Sequence, residues 1–311
     1  MKIINTKEDI FELLKPDGGK YCVKDLSEAY GFCKKITENH YENFPVGSLL
    51  IPKNQRKYFF SVYTFSRLAD DIADELTDES PQSRIEALNK LEEIIKIDYD
   101  ISQNKFNPLV LALQDTIKQK KLPYEPFEKL IKAFIMDSQF NQPVTIEDNI
   151  NYCRYSANPV GEIVLRIFDN YNSETAPFSD AVCTGLQLVN FWQDISVDRI
   201  KGRIYLPLQQ LKKYKLDEIS LFDYTQNNNL DACLKESYEY TENLFIFGVG
   251  LIKLIENKRL KFELALTLES GLRILEKVRM TGTEIIRTRP ELTKKDLLII
   301  LKRTLTKHRF F

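Results

Sequence analysis

Glycine is scarce in this chain, at 11 of 311 positions, and so are the alternating apolar and polar runs that build strands. Apolar residues instead recur at intervals of three and four almost throughout, which predicts a mostly helical protein. Histidine is rarer still: only His40 and His308 occur, and neither follows a glutamate by three positions. That excludes the Glu-x-x-His pairs of a di-iron helical bundle. The five cysteines (Cys22, Cys33, Cys153, Cys183, Cys233) are odd in number and form no CxxC pair, which excludes a disulfide framework and a zinc site and fits a reducing, cytoplasmic location. The 44 basic and 45 acidic residues nearly cancel, so no overall field draws the chain to nucleic acid. No stretch approaches the roughly 20 uncharged apolar residues of a bilayer-spanning helix. Lys7, Glu8, Asp9 and Glu12 stand where a secretion signal would need an apolar run. No GxxxxGK[ST] loop is present, and "GVGLIK" from Gly248 lacks the third glycine of a dinucleotide fingerprint.

What is present suffices for a large core, with 43% hydrophobic and 11% aromatic residues. Prolines punctuate the helical pattern. Pro52 opens a long helix through about Leu76, Pro81 opens another, and Pro108, Pro126, Pro159 and Pro207 mark later starts or joints. A polar loop at Asn227 to Asn229 precedes a long helical region that breaks near Glu256 to Lys258. Some ten helices are expected, with no repeat and no flexible linker, so the expected organisation is one all-helical domain over residues 1–311. The end, "LLIILKRTLTKHRFF", reads as an ordinary last helix with a solvated basic tail, the alternative being a helix resting on a membrane surface.

Two segments carry chemistry. In "GLQLVNFWQDISVD" (185 to 198), Asn190, Asp194 and Asp198 fall at steps of four, with Gln187 three residues before the first, so all share one helix face. Leu186, Leu188, Val189, Phe191, Trp192 and Ile195 surround them; a helix apolar everywhere but along one stripe is buried, and the stripe lines a cavity. In "YTFSRLADDIADE", Tyr63, Arg67, Asp70 and Asp74 form a second stripe. The register Asp71 and Glu75 also has the spacing, but Tyr63 and Arg67 extend the stripe of Asp70 and Asp74. Like charges at this spacing cost roughly 0.2–0.5 kcal/mol per pair on an exposed helix and more when desolvated, so a compensating cation is expected. Mg²⁺ suits oxygen donors of this kind, held by one or two carboxylates plus substrate phosphates. Two acidic helices of this sort would capture a diphosphate through the metal and neutralise the charge that grows on the leaving oxygen. An apolar cavity would shelter the resulting carbocation.

Taken with "HYENFPVGSLLIP" (40 to 52), "YCRYSANPVGEIVL" (152 to 165), "KGRIYLP" (201 to 207) and "RTRPELTKKD" (287 to 296), the chain resembles the squalene and phytoene synthase family of isoprenoid diphosphate synthases. The resemblance runs from about Ala29 to Leu301. It implies an all-α isoprenoid synthase fold around a central cavity, with Asp70 and Asp74 opposite Asp194 and Asp198 and Mg²⁺ between them and the diphosphate. It also implies that Arg67, Arg203 and Tyr205 hold phosphate, that His40 and Asn43 lie on the lid side, and that Tyr152, Gln187 and Asn190 line the site. Condensing members commonly carry Arg where Gln193 stands, and a hydroxyl or basic residue where Glu42 stands. These departures weaken the hold on a second diphosphate and make the chain similar to the bacterial hydroxysqualene synthase branch. Presqualene diphosphate is then the expected substrate, with farnesyl diphosphate the alternative and a non-catalytic isoprenoid-binding role the reading of another class. Gln193 is expected to orient the quenching water, since an amide both donates and accepts. The likeness further implies coupling to a presqualene diphosphate synthase and a hydroxysqualene reductase; the C-terminal segment leaves a peripheral place on the inner membrane face as an alternative to the free cytoplasm.

Overall fold

The computed structural model describes residues 6–39, 51–76, 80–99, 104–217 and 228–308. Among these there is no strand, only an isolated bridge between Val23 and Phe106. Fourteen α-helical segments are described, more than expected because several last one or two turns. The contacts gather into two compact units, Met1–Gln139 with Glu162–Asn170 and Phe140–Gly161 with Tyr171–Phe311. No described helix is long and apolar enough to cross a membrane.

The first unit holds α1 (Lys7–Leu13), α2 (Leu26–Asn39), α3 (Lys53–Glu75), α4 (Pro81–Ile94), α5 (Pro108–Lys120) and α6 (Glu125–Ser138). Helix α3 follows Pro52 and runs unbroken for 23 residues. It buries Phe65, Leu68, Ala69 and Ile72, with Leu76 just past its end, the three- and four-residue repeat of a single face. Phe65 meets Phe127 of α6 edge to face at 5.3 Å, so truncating Phe65 would cost about 3–5 kcal/mol. Asn107 fastens the start of α5 to the N-terminal segment. Its Oδ1 accepts from the Leu109 and Val110 amides at 3.1 and 3.2 Å, and its Nδ2 donates to the Leu13 carbonyl at 2.7 Å. A fully buried asparagine is stable only because both ends of its amide are so satisfied.

The second unit includes α7 (Ile146–Ser156) and most of the rest; α8 (Asn158–Ile167) begins here and ends in the first unit. Then come α9 (Ala176–Gln193), α10 (Ile195–Asp198), α11 (Leu208–Lys213), α12 (Asn228–Leu254), α13 (Lys258–Thr281) and α14 (Lys294–Lys307). The break expected near Glu256 to Lys258 lies between α12 and α13. Helix α9 is buried nearly all round, as its composition implies, with Leu188, Val189, Phe191 and Trp192 all in the core. At Gly185 the ring of Phe245 from α12 approaches so closely that an added Cβ would sit 2.9 Å from it. The only tryptophan, Trp192, donates its indole N–H to the Thr241 hydroxyl at 2.8 Å, fixing the rotation of α9 about its axis.

In the basic tail Lys302 and Lys307 are exposed, while the His308 ring turns inward onto Glu269 of α13 at 3.1 Å, with the Lys307 ammonium 3.3 Å from the same carboxylate; that carboxylate is only 1% exposed and needs partners. Arg309, Phe310 and Phe311 lie outside the described residues.

Candidate functional site

On α3, the side opposite Phe65 and Leu68 carries the first acidic row. Arg67 pairs with Asp70 at 3.0 Å and also with Asp71. The two acids differ in burial: Asp71 is 2% exposed and closed over by the guanidinium, whereas the Asp70 side chain is 44% exposed. Asp74 is exposed one turn later. Asp70 and Asp74 are therefore the pair of this helix that an outside ligand can reach. Burial works against the charge on Arg67, but Asp71 and Asp70 more than offset it and raise its pKa. The Tyr63 hydroxyl is raised mainly by burial, opposed by Arg67.

In the second unit the other row crosses a helix end. Helix α9 stops at Gln193 and α10 starts at Ile195, yet the Asp194 amide still donates to the Asn190 carbonyl at 2.9 Å and the Asp198 amide to the Asp194 carbonyl at 2.8 Å. These four-residue bonds keep the three side chains on one side despite the change of helix. Asn190 is exposed, and Asp194, Asp198 and Gln187 are half-buried. Gly202 then adopts φ 72°, a left-handed turn that glycine takes without strain. The chain doubles back there, and the Arg203 amide donates to the Asp198 carbonyl at 2.9 Å. A small pocket results, lined by Phe191, Asp198, Arg199, Arg203, Tyr205 and neighbours. Its floor is aromatic: Tyr205 stacks on Phe191 at 3.8 Å with the planes 8° apart, and Tyr152 meets the same ring at 5.8 Å. Two backbone anchors hold that strip, Asn149 donating to the Tyr205 carbonyl and Gln142 to the Leu206 carbonyl, each at 3.0 Å.

Gln193, expected to orient the quenching water, is 6% exposed, and its amide donates to the Pro290 carbonyl at 2.7 Å, which ties α9 to the segment before α14. His40 and Asn43 lie outside the described residues.

Beyond Arg67 and Arg203, sequence reading missed Arg199, Arg287 and Arg289. Arg289 reaches Asp194 from 95 positions away, at 2.5 Å. Arg287 is exposed; partial loss of hydration lowers its pKa, with a further contribution from the nearby charge of Arg199. The Arg199 Nε is itself buried with no hydrogen-bond partner among the described residues. Arginines this close, beside half-buried carboxylates, suit a multiply charged anion better than they suit one another. The "RTRP" segment was the available signal, but nothing local assigns it a partner.

No three acidic, imidazole or thiol groups among the described residues cluster tightly enough to hold a metal alone. The donors on each row are all oxygens: Asp70 and Asp74 on one, Asn190, Asp194 and Asp198 on the other. That set fits Mg²⁺, which takes one or two carboxylates and completes its shell with water and phosphate oxygens.

The fold is all-α, and each unit carries an aspartate row beside arginine, a donor set suited to a diphosphate. Residues 37–296 match the squalene/phytoene synthase family, and the chain belongs to that family. Its members are isoprenoid-diphosphate synthases and transferases of isoprenoid biosynthesis, which generally work with a divalent metal. The crystal structure of squalene synthase HpnC from Alicyclobacillus acidocaldarius superposes with a TM-score of 0.76 at 36% identity, covering 83% of this chain and 95% of that one. The hydroxysqualene synthase of Sinorhizobium fredii (strain NBRC 101917 / NGR234) is 29% identical over 259 residues, 83% of this chain and 86% of its own. The phytoene synthase of Mycobacterium tuberculosis (strain ATCC 25618 / H37Rv) is 27% identical over 239 residues, 75% and 76% of the two chains. The fold is the all-α isoprenoid synthase fold.

Proposed function

We propose that the protein converts presqualene diphosphate and water to hydroxysqualene and diphosphate, with Mg²⁺ and without a reductant. The observation that carries this reading is the pair of accessible aspartate rows, Asp70 with Asp74 and Asp194 with Asp198, each beside arginine. Each row offers oxygen donors for a metal-bound diphosphate. Mg²⁺, held by these aspartates and Asn190, would supply the positive charge that stabilises the departing diphosphate. Arg203 and Arg199 bind its oxygens, as would Arg289 once released from Asp194. The stacked Tyr205 and Phe191, with Tyr152, form the aromatic wall; a ring face stabilises nearby positive charge. The apolar core of α9 behind that wall excludes stray water from the prenyl chain.

With Gln193 turned to Pro290, the water that quenches the cation must be held by other groups, and Glu42 remains as the departure from condensing members. The likeness to the Sinorhizobium hydroxysqualene synthase supports the reading. Its place in a sequence of reactions then lies after a presqualene diphosphate synthase and before a hydroxysqualene reductase. A second reading, head-to-head condensation of two farnesyl diphosphates to presqualene diphosphate or squalene, has its own support in the likeness to a squalene synthase at 36% identity and to a phytoene synthase. Purified protein with Mg²⁺ is incubated separately with each diphosphate. Hydroxysqualene from presqualene diphosphate, with no thirty-carbon product from farnesyl diphosphate alone, is the expected result. A thirty-carbon product from farnesyl diphosphate alone would establish condensation instead.

A further inference from the structure

Helix α14 (Lys294–Lys307) is mounted with its polar side inward. Asp296 is 3% exposed and receives Arg273 and Lys277 of α13 at 2.7 and 2.8 Å. Arg303 reaches Glu276, and Lys307 and His308 meet buried Glu269. Ile300 is the one large apolar residue of the helix in the core. The leucines face the other way: Leu297, Leu298, Leu301 and Leu305 are 52%, 69%, 42% and 39% exposed. At about 100° per residue they fill one sector roughly 100° wide. Lys295 and Lys302 run along its border and Lys294 stands at its start, all three exposed. A helix on a freely dissolved surface has the opposite arrangement, with leucines against the core and lysines out. Single exposed leucines need no explanation, but four on one stripe with a cationic edge do.

We propose that this face of α14 docks on an anionic lipid bilayer, with the axis in the plane of the interface, the leucines at the acyl boundary and the lysines among headgroup phosphates. The lysines select a membrane over a second copy of the chain. A two-fold interface sets the same patch against itself, so burying the leucines that way would also crowd like charges together. The proposal does not rest on the reaction assigned above, since docking needs no substrate.

The test is flotation of the full chain with vesicles of phosphatidylcholine alone, and with vesicles in which part of it is replaced by phosphatidylglycerol. The chain is expected to float with the anionic vesicles and to do so less in raised salt. Combining Leu298→Asp with Leu301→Asp is expected to weaken that binding at least tenfold, on the order of what two lost aliphatic anchors imply, with the thermal melt unchanged. Lys295→Glu and Lys302→Glu are each expected to weaken it by roughly fivefold or more, and they keep the test intact should the leucine variant lose its melt. No flotation with anionic vesicles, or flotation that both sets of variants leave unchanged, overturns the proposal. So does a chain that ignores vesicles but dimerises in ultracentrifugation until the leucines are replaced, which makes the face a protein interface.

Discussion

The two aspartate rows solve one electrostatic problem by different means. On α3 the compensating cation is local: Arg67 lies three and four residues from the acids it pairs with, on one unbroken helix. In the second unit the row spans a helix end, and its cation, Arg289, returns from 95 positions downstream. The first arrangement is built as soon as the helix forms; the second exists only once the unit has closed. Local pairing makes Arg67 part of the helix's own stability, whereas Arg289 is free to serve whatever binds Asp194.

The largest effect expected is on turnover. Asp70→Asn and Asp194→Asn should each lower kcat by about 10³-fold, read by diphosphate release at saturating Mg²⁺. Retention of activity in either one would show that the rows are not equal partners. Next comes the pair of arginines. Arg67→Ala leaves Asp71 buried without its guanidinium and should destabilise the protein by about 3 kcal/mol. Arg289→Ala breaks a half-exposed pair and should cost under about 1 kcal/mol. Urea titrations of both variants compare them directly, and equal losses would erase the local-versus-remote distinction. Acid supplies a third probe, because the ties of α14 are also remote and ionic. Its bonds from Lys277 and Thr293 hold the Asp296 carboxyl well below the ordinary range. A depressed folded pKa contributes stability that is present above the unfolded value and lost as pH falls below about 4. Hydrogen exchange of α14 amides should accelerate in that window before those of α3 do. The smallest effect concerns Glu263 of α13, whose pKa burial raises to about 7. Here the sign reverses: stability is lost as pH rises through that value. Glu263→Gln should therefore raise the Tm slightly at pH 8 and leave it unchanged at pH 5, measured by calorimetry.

The same division between local and remote decides what could be read from the sequence. The helical class, the starts at Pro52 and Pro81, and both aspartate rows rest on repeats of three and four residues, which a linear chain displays openly. The burial of Gln193 had a signal in the sequence: it shares a face with Val189 and Leu186, four and seven positions back, and that face is the packed side. Its tie to Pro290 and the role of Arg289 depend on a segment brought in by closure of the unit, which no spacing records. The inversion of α14 was hidden for the same reason. Whether His308 points to water or inward depends on Glu269, and that residue belongs to another helix.

Trp192 gives the molecule a built-in optical reporter. It is the sole indole, wholly buried, two positions before Asp194 in the chain and hydrogen-bonded to Thr241. On the proposed function, Asp194 would exchange Arg289 for magnesium pyrophosphate, and such a rearrangement would be relayed through the backbone to that chromophore. Its emission therefore offers a label-free titration of inorganic ligands, separable from catalysis because no prenyl group is required.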